Sequence, residues 1–220
     1  MEGFAMKKTM KAALAVPAAV LLSAGAAAAV SAGTFGATLA PVPHDHTADG
    51  GSNVTGHAML RLTGRTLDIN LTASGLTPNE PHAMHIHGLT QSRNECPGIE
   101  ADTNTGDPID PGTFVAGQPD GLISLGEGAG DYGPIDVSMT VTGDTSPSSG
   151  LSLERFVSAD TNGNLSYHRS VVVPKEVAKN LGNLHIVIHG TDLPSDPDHS
   201  SLSSLFEATL PVACGGITRQ

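Results

Sequence analysis

The stretch "VTGHAMLRLTGRTLDINLTA", residues 54–73, decides the fold class. Two runs, 54–62 and 66–73, alternate apolar with polar residues, and Thr63-Gly64-Arg65 separates them. Side chains along a strand change face at every residue, so each run offers one apolar face to a core and one polar face to water. A short break containing Gly joins two such runs as a hairpin.

Working outward, the same short-period pattern recurs in "HAMHIH" (82–87), "IDVSMTVT" (135–142), "LSYHRSVVV" (165–173), "LHIVIHG" (184–190) and "FEATLPVA" (206–213). "FVAG" and "GLISL" read as strand fragments on either side of a "QPD" turn. Helical periodicity is nearly absent; "PKEVAKNL" (174–181) is the one helical candidate, with Pro174 suited to a first turn. Twenty-six glycines and 15 prolines supply the turns that many short strands need. The expected class is all-β, an antiparallel sandwich or barrel with long loops.

The chain opens on Lys7, Lys8 and Lys11, followed by "AALAVPAAVLLSAGAAAAV" and several small-x-small cleavage sites. That layout predicts a secretory signal peptide over 1–32. Pro17 and Gly25 make the run a poor spanning helix, so no membrane insertion is expected after cleavage. Residues 33–53 show no period and read as a flexible linker, leaving 54–220 as one domain. Without residues 1–32 the counts are 8 basic and 21 acidic residues, a net charge of −13. Such a surface repels nucleic acid and anionic membranes and suits a secreted protein. In oxidising surroundings the two cysteines, Cys96 and Cys214, favour a disulfide over a metal site or a nucleophile. A bridge closing that loop is worth roughly 4–5 kcal/mol in the chain-entropy account.

Three of the ten histidines, His82, His85 and His87, crowd into six positions. On a strand His85 and His87 share a face, about 7 Å apart, and His82 has the opposite parity. His185 and His189 likewise share a face, so two strands can present imidazole to a common point. Imidazole suits copper, zinc, iron and nickel. The competing reading is a set of polar positions on a solvated sheet face. "DTNTGD" (102–107) and "DTNGN" (160–164) carry oxygen donors at alternate positions, but neither completes a twelve-residue calcium loop. No phosphate-cradling glycine loop or G-x-S-x-G elbow is present.

Four stretches, in order, resemble the Cu/Zn superoxide dismutases. "SGLTPNEPHAMHIHG" is similar to that family's H-x-x-H-x-H strand. "LHIVIHGTDLPSD" resembles its late histidine strand, and "LPVACGGI" its closing strand around the second half-cystine. Cys96 stands at about the position of the first half-cystine. Residues 97–165 show no such likeness. The resemblance implies a Greek-key β-barrel with copper held by His85, His87 and His189. It also implies a Cys96–Cys214 bridge and a structural role for His82, bonded to backbone.

The pattern also breaks. The family's metal-bridging and zinc-binding histidines follow the first half-cystine, yet residues 97–132 hold seven acids and no histidine, lysine or arginine. A zinc site is therefore not expected. The family's anion-guiding arginine, three residues before the last cysteine, is Pro211 here. Superoxide, the expected small-molecule partner, would meet an acidic surface and no guide, so dismutation is expected to be weak or lost. Candidate fourth ligands are His185, His168, His44 and His46. The alternative is a metal-free secreted β-scaffold, since chordin-type domains resemble the "HAMHIHG" strand nearly as well.

Overall fold

The hairpin forms in full register: β2 (Thr55–Thr63) pairs with β3 (Thr66–Ser74) from Thr63↔Thr66 at the turn to Thr55↔Ser74 at the open end. Gly64 sits at φ +61 in the turn, a left-handed conformation that costs glycine nothing. Ala58, Leu60, Leu62, Leu67, Ile69 and Leu71 all point inward and are buried. Each buried leucine or isoleucine contributes about 1.5–3 kcal/mol relative to exposure. The computed structural model describes residues 32–44, 52–90, 92–103, 119–193 and 204–220. Residues 1–31 of the expected signal peptide, the "FVAG" fragment and His46 lie outside them.

Among the described residues, seven further strands complete the architecture. They are β1 (Gly33–Pro41), β4 (Met84–His87), β5 (Ile135–Ser138), β6 (Leu165–Val172), β7 (His185–His189), β8 (Pro211–Gly216) and the short β9 (Thr218–Arg219). The order across the sheet is β5-β4-β7-β8-β1-β2-β3-β6, with β9 beside β1, and every pairing is antiparallel. The sheet curls into a half-barrel around one core. Leu60, Ile69 and Tyr167 from one half meet Met84, Ile86, Ile186 and Ile188 from the other. β5 and β6 share no ladder; β6 side chains close the seam instead. Arg169 donates to the Thr140 carbonyl (2.7 Å) and the Gly143 carbonyl (2.6 Å).

Three expectations need correction. Residues 33–41 are not linker but β1, which joins the two halves: it pairs with β2 over Gly33–Leu39 and with β8 at Ala40 and Pro41. Its inward residues Phe35, Ala37 and Leu39 are buried, but Gly33, Gly36 and Pro41 dilute the alternation. The domain therefore begins before residue 54. "GLISL" is not a strand; its last residue opens helix α1 (Leu125–Tyr132), where Ser124 and Glu127 form a capping box. "FEATLPVA" divides into helix α3 (Leu205–Thr209), capped the same way by Ser204 and Glu207, and the start of β8. Each pair matches the S-x-x-E helix-start signature. The expected helix is α2 (Lys175–Asn180), just after Pro174. Among the described residues no helix is long and apolar enough to cross a membrane.

Ser124→Ala removes the cap of α1, the helix that covers the histidine face described next. We expect a loss of about 1 kcal/mol in urea unfolding.

Candidate metal centre

Inward residues of β4 and β7 (Met84, Ile86, Ile186, Ile188) belong to the core, so His85, His87, His185 and His189 take the outer face. That face is not solvated. A second apolar cluster of Val42, Ala101, Ile123, Tyr132, Val187 and Cys214 covers it. The Cys96–Cys214 disulfide (S–S 2.04 Å) fastens the covering loop to β8, where Cys214 lies opposite Val187. His85, His87 and His189 are consequently buried.

The ladders beside the histidines are irregular. Pairing with β5 shifts between Ile86 and His87, and pairing with β8 shifts between Ile188 and His189. The extra residues, Asp136 on β5 and Val212 on β8, stand on the neighbouring strands, and the strand with the extra residue is the one that bends. Strand parity sets which face a histidine takes, and both irregularities fall opposite a histidine of the cluster. The ring centroids lie 5.3 Å (His85–His87), 5.1 Å (His85–His189) and 5.8 Å (His87–His189) apart.

Each ring has one nitrogen tied to a backbone carbonyl. His85 Nε2 donates to Gly150 (3.1 Å), His87 Nδ1 to Gly133 (2.8 Å) and His189 Nδ1 to Thr209 (2.7 Å). A carbonyl only accepts, so each of these nitrogens carries the proton. The lone pairs then sit on His85 Nδ1, His87 Nε2 and His189 Nε2. These three atoms are buried and have no hydrogen-bond partner. They lie within 4.8 Å of one another. A buried acceptor left unsatisfied costs about 1–3 kcal/mol, and three such acceptors facing one point fit a metal ion.

Electrostatics keep the rings in their ligating form. Burial drives the His85 pKa well below its ordinary value, with His189 and His87 adding to the effect. Burial, then the neighbouring His189, lowers His87 to about 3. Burial lowers His189 to about 4, against the Thr209 carbonyl. All three are neutral at pH 7, as metal ligation requires.

The carbonyls have supports of their own. Gly133 ends α1 at φ +84, and a Cβ there would come 2.7 Å from Ser92 Oγ, so only glycine presents its carbonyl to His87 this way. Gly150 follows a turn held by Asp144, which accepts from Ser146 N (3.2 Å) and Ser149 Oγ (2.8 Å). Arg155 donates to Ser149 Oγ (2.9 Å) and to the Thr142 carbonyl (2.7 Å). Tyr132 packs its edge on His87 (4.7 Å between centroids) and Phe156 on His85 (5.6 Å). No sequence pattern singles out Tyr132, Asp144, Arg155 or Phe156, because each acts through a partner distant in the chain. Arg155→Ala should loosen the Gly150 turn and weaken metal affinity by about tenfold in a chelator competition titration.

The remaining histidines take other roles. His82 is buried between two carbonyls, His189 O and Thr77 O, each 3.0 Å from a ring nitrogen. Burial lowers its pKa against those carbonyls, and the neutral ring donates to one of them at a time. His82 thereby braces the backbone of His189. His44 donates from Nε2 to the Pro211 carbonyl (2.8 Å) and accepts at Nδ1 from Ile123 N (2.9 Å), so both nitrogens pin loops. His168 is exposed and pairs with Asp68 at 3.2 Å. His185 faces His87 in register but lines a separate cavity with Asn94 and Gly216. None of these three joins the cluster as a fourth ligand. Asp160 accepts from Asn162 N and Asn164 N (both 2.8 Å), so the "DTNGN" carboxylate holds its own turn.

No protein-family model matches this chain, and no curated protein matches its sequence.

Proposed function

We propose that this chain is a secreted copper-binding protein with a superoxide dismutase-like Greek-key barrel, in which His85, His87 and His189 hold one copper ion. One observation carries the reading: three buried imidazoles, each fixed in tautomer by a carbonyl, turn unpartnered lone pairs toward one another. The strand order β5-β4-β7-β8-β1-β2-β3-β6 and the Cys96–Cys214 bridge support the barrel assignment.

An all-nitrogen, uncharged donor set favours copper over the hard cations that need carboxylates. Bound copper would supply a one-electron redox couple. The chain's own part is to hold three nitrogens in place, keep them unprotonated and exclude water. Superoxide dismutation asks for more, namely attraction of an anion and a proton source beside the metal. The net charge of −11 opposes the first. We therefore assign copper binding as the primary property, with dismutation weak or lost.

Purified protein loaded with copper should retain about one ion per chain, with nitrogen couplings in its electron paramagnetic resonance spectrum. Its dismutase rate should stay near that of free buffer. A protein that remains metal-free after loading would instead be a β-scaffold of the chordin-type kind.

A further inference from the structure

Three features of the cluster bear on the charge of the ion it takes. The donor set is uncharged: among the described residues only His85, His87 and His189 offer ligand atoms at this point, and no Asp, Glu or Cys joins them. Asp131, the buried carboxylate next to Tyr132, forms an ion pair with Arg93 instead. The groups behind the rings are uncharged as well. Backbone carbonyls of Gly150, Gly133 and Thr209 accept the ring protons, where metal-binding histidines often use a carboxylate that makes the ring more basic. Lastly, the point is dry. The three rings are 1–2% exposed, and the nitrogens that carry the lone pairs are buried.

We propose that the cluster selects the cuprous over the cupric ion, so that copper is held here as Cu(I). The inference rests on the copper reading above and adds the oxidation state. The desolvation cost of an ion grows as the square of its charge, so a divalent ion loses about four times as much as a monovalent one on leaving water. A carboxylate ligand would offset that difference, and none stands in this donor set among the described residues. Carboxylates behind the rings would offset part of it, and the three carbonyls do not. Donor number acts in the same direction. Cu(II) favours a tetragonal set of nitrogen and oxygen donors, whereas Cu(I), with a filled d shell, has no such demand and is satisfied by three imidazoles. Zn(II) carries the double charge and favours four ligands, so the same two arguments disfavour it. Cupric copper still enters when it is the only ion supplied, and that is the form paramagnetic resonance reads.

The test is an anaerobic competition of the intact protein against chelators of known affinity for Cu(I) and for Cu(II), read by their absorbance. The dissociation constant for Cu(I) should lie at least about a hundredfold below that for Cu(II). At 59 mV per tenfold, that ratio places the bound couple about 120 mV above the couple of the free ion, which a redox titration checks. Ag(I), monovalent and inert in this exchange, should compete with Cu(I) for the site, and Zn(II) should not. His189→Asp replaces an uncharged donor by a carboxylate and should narrow the Cu(I) preference by at least about tenfold; His189→Asn, of the same shape without the charge, should not. Cu(II) bound as tightly as Cu(I) by the unaltered protein would overturn the proposal and leave the copper reading standing. Aspartate and asparagine variants with the same preference would overturn it too, because charge would not be the cause. A protein that retains neither Cu(I), Cu(II) nor Ag(I) would bring down the copper reading and this inference together.

Discussion

Metal-free protein is expected to lose several kcal/mol of folding free energy between pH 6.5 and pH 5. His85, His87 and His189 all have folded-state pKa values depressed by burial, with His87 at about 3 and His189 at about 4. In the unfolded chain the same rings titrate near 6.5. A depressed folded pKa means that stability is complete above the unfolded value and falls as pH drops, because the unfolded state takes up the protons. Each pH unit costs about 1.36 kcal/mol per histidine. Over the 1.5 units to pH 5, three histidines remove about 6 kcal/mol together, against a total of about 5–15 kcal/mol for a typical domain. His82 and His185, also lowered by burial, act in the same direction. Asp136 opposes them. Burial raises its pKa to about 6, so its contribution grows as pH falls from there toward its unfolded value. Urea unfolding at pH 7, 6 and 5 measures the balance. A stability unchanged over that range would mean that the imidazoles are not held neutral and dry.

His189→Ala is expected to weaken copper binding by more than about a hundredfold. Substitutions one shell out from a metal already cost about 10–100-fold, and this one removes a donor. His85 and His87 both stand on β4, so among the described residues His189 is the one donor that β7 would offer to the proposed ion. Its loss should cut the nitrogen count in the resonance spectrum from three to two. It should also abolish the stabilisation by copper, which for the intact protein is about 4 kcal/mol at a thousandfold excess over the dissociation constant. His185→Ala is the matched control. It lies on the same strand and face but outside the cluster, and stoichiometry should stay at one ion. Copper binding that survives His189→Ala with three nitrogens, or vanishes with His185→Ala, would put the ion elsewhere.

Much of this was legible in the residues. The hairpin, β6 and β7 show a period of two, which is local and needs no partner to be read. The parity of His85 and His87, and of His185 and His189, follows from the same period of two. β1 was obscured because glycines replace side chains that would have marked its two faces. α1 and α3 were obscured because short helices carry too few residues for a 3.6 period to emerge, although their S-x-x-E caps were present in the sequence.

Sequence alone determined the all-β class, the two histidine-bearing strands and the pair of cysteines, because alternation and residue type act within a few positions of the chain. Strand parity alone leaves His185 and His189 equivalent and only the resemblance names His189; the tertiary structure brings His189 close to His85 and His87 while His185, on the same face, stays apart. That arrangement rests on an apolar cover drawn from loops far away and on three carbonyls supplied by Gly133, Gly150 and Thr209. A ring's tautomer and the direction of its lone pair are set by the neighbour that accepts its proton, and that neighbour lies 20 to 65 residues away.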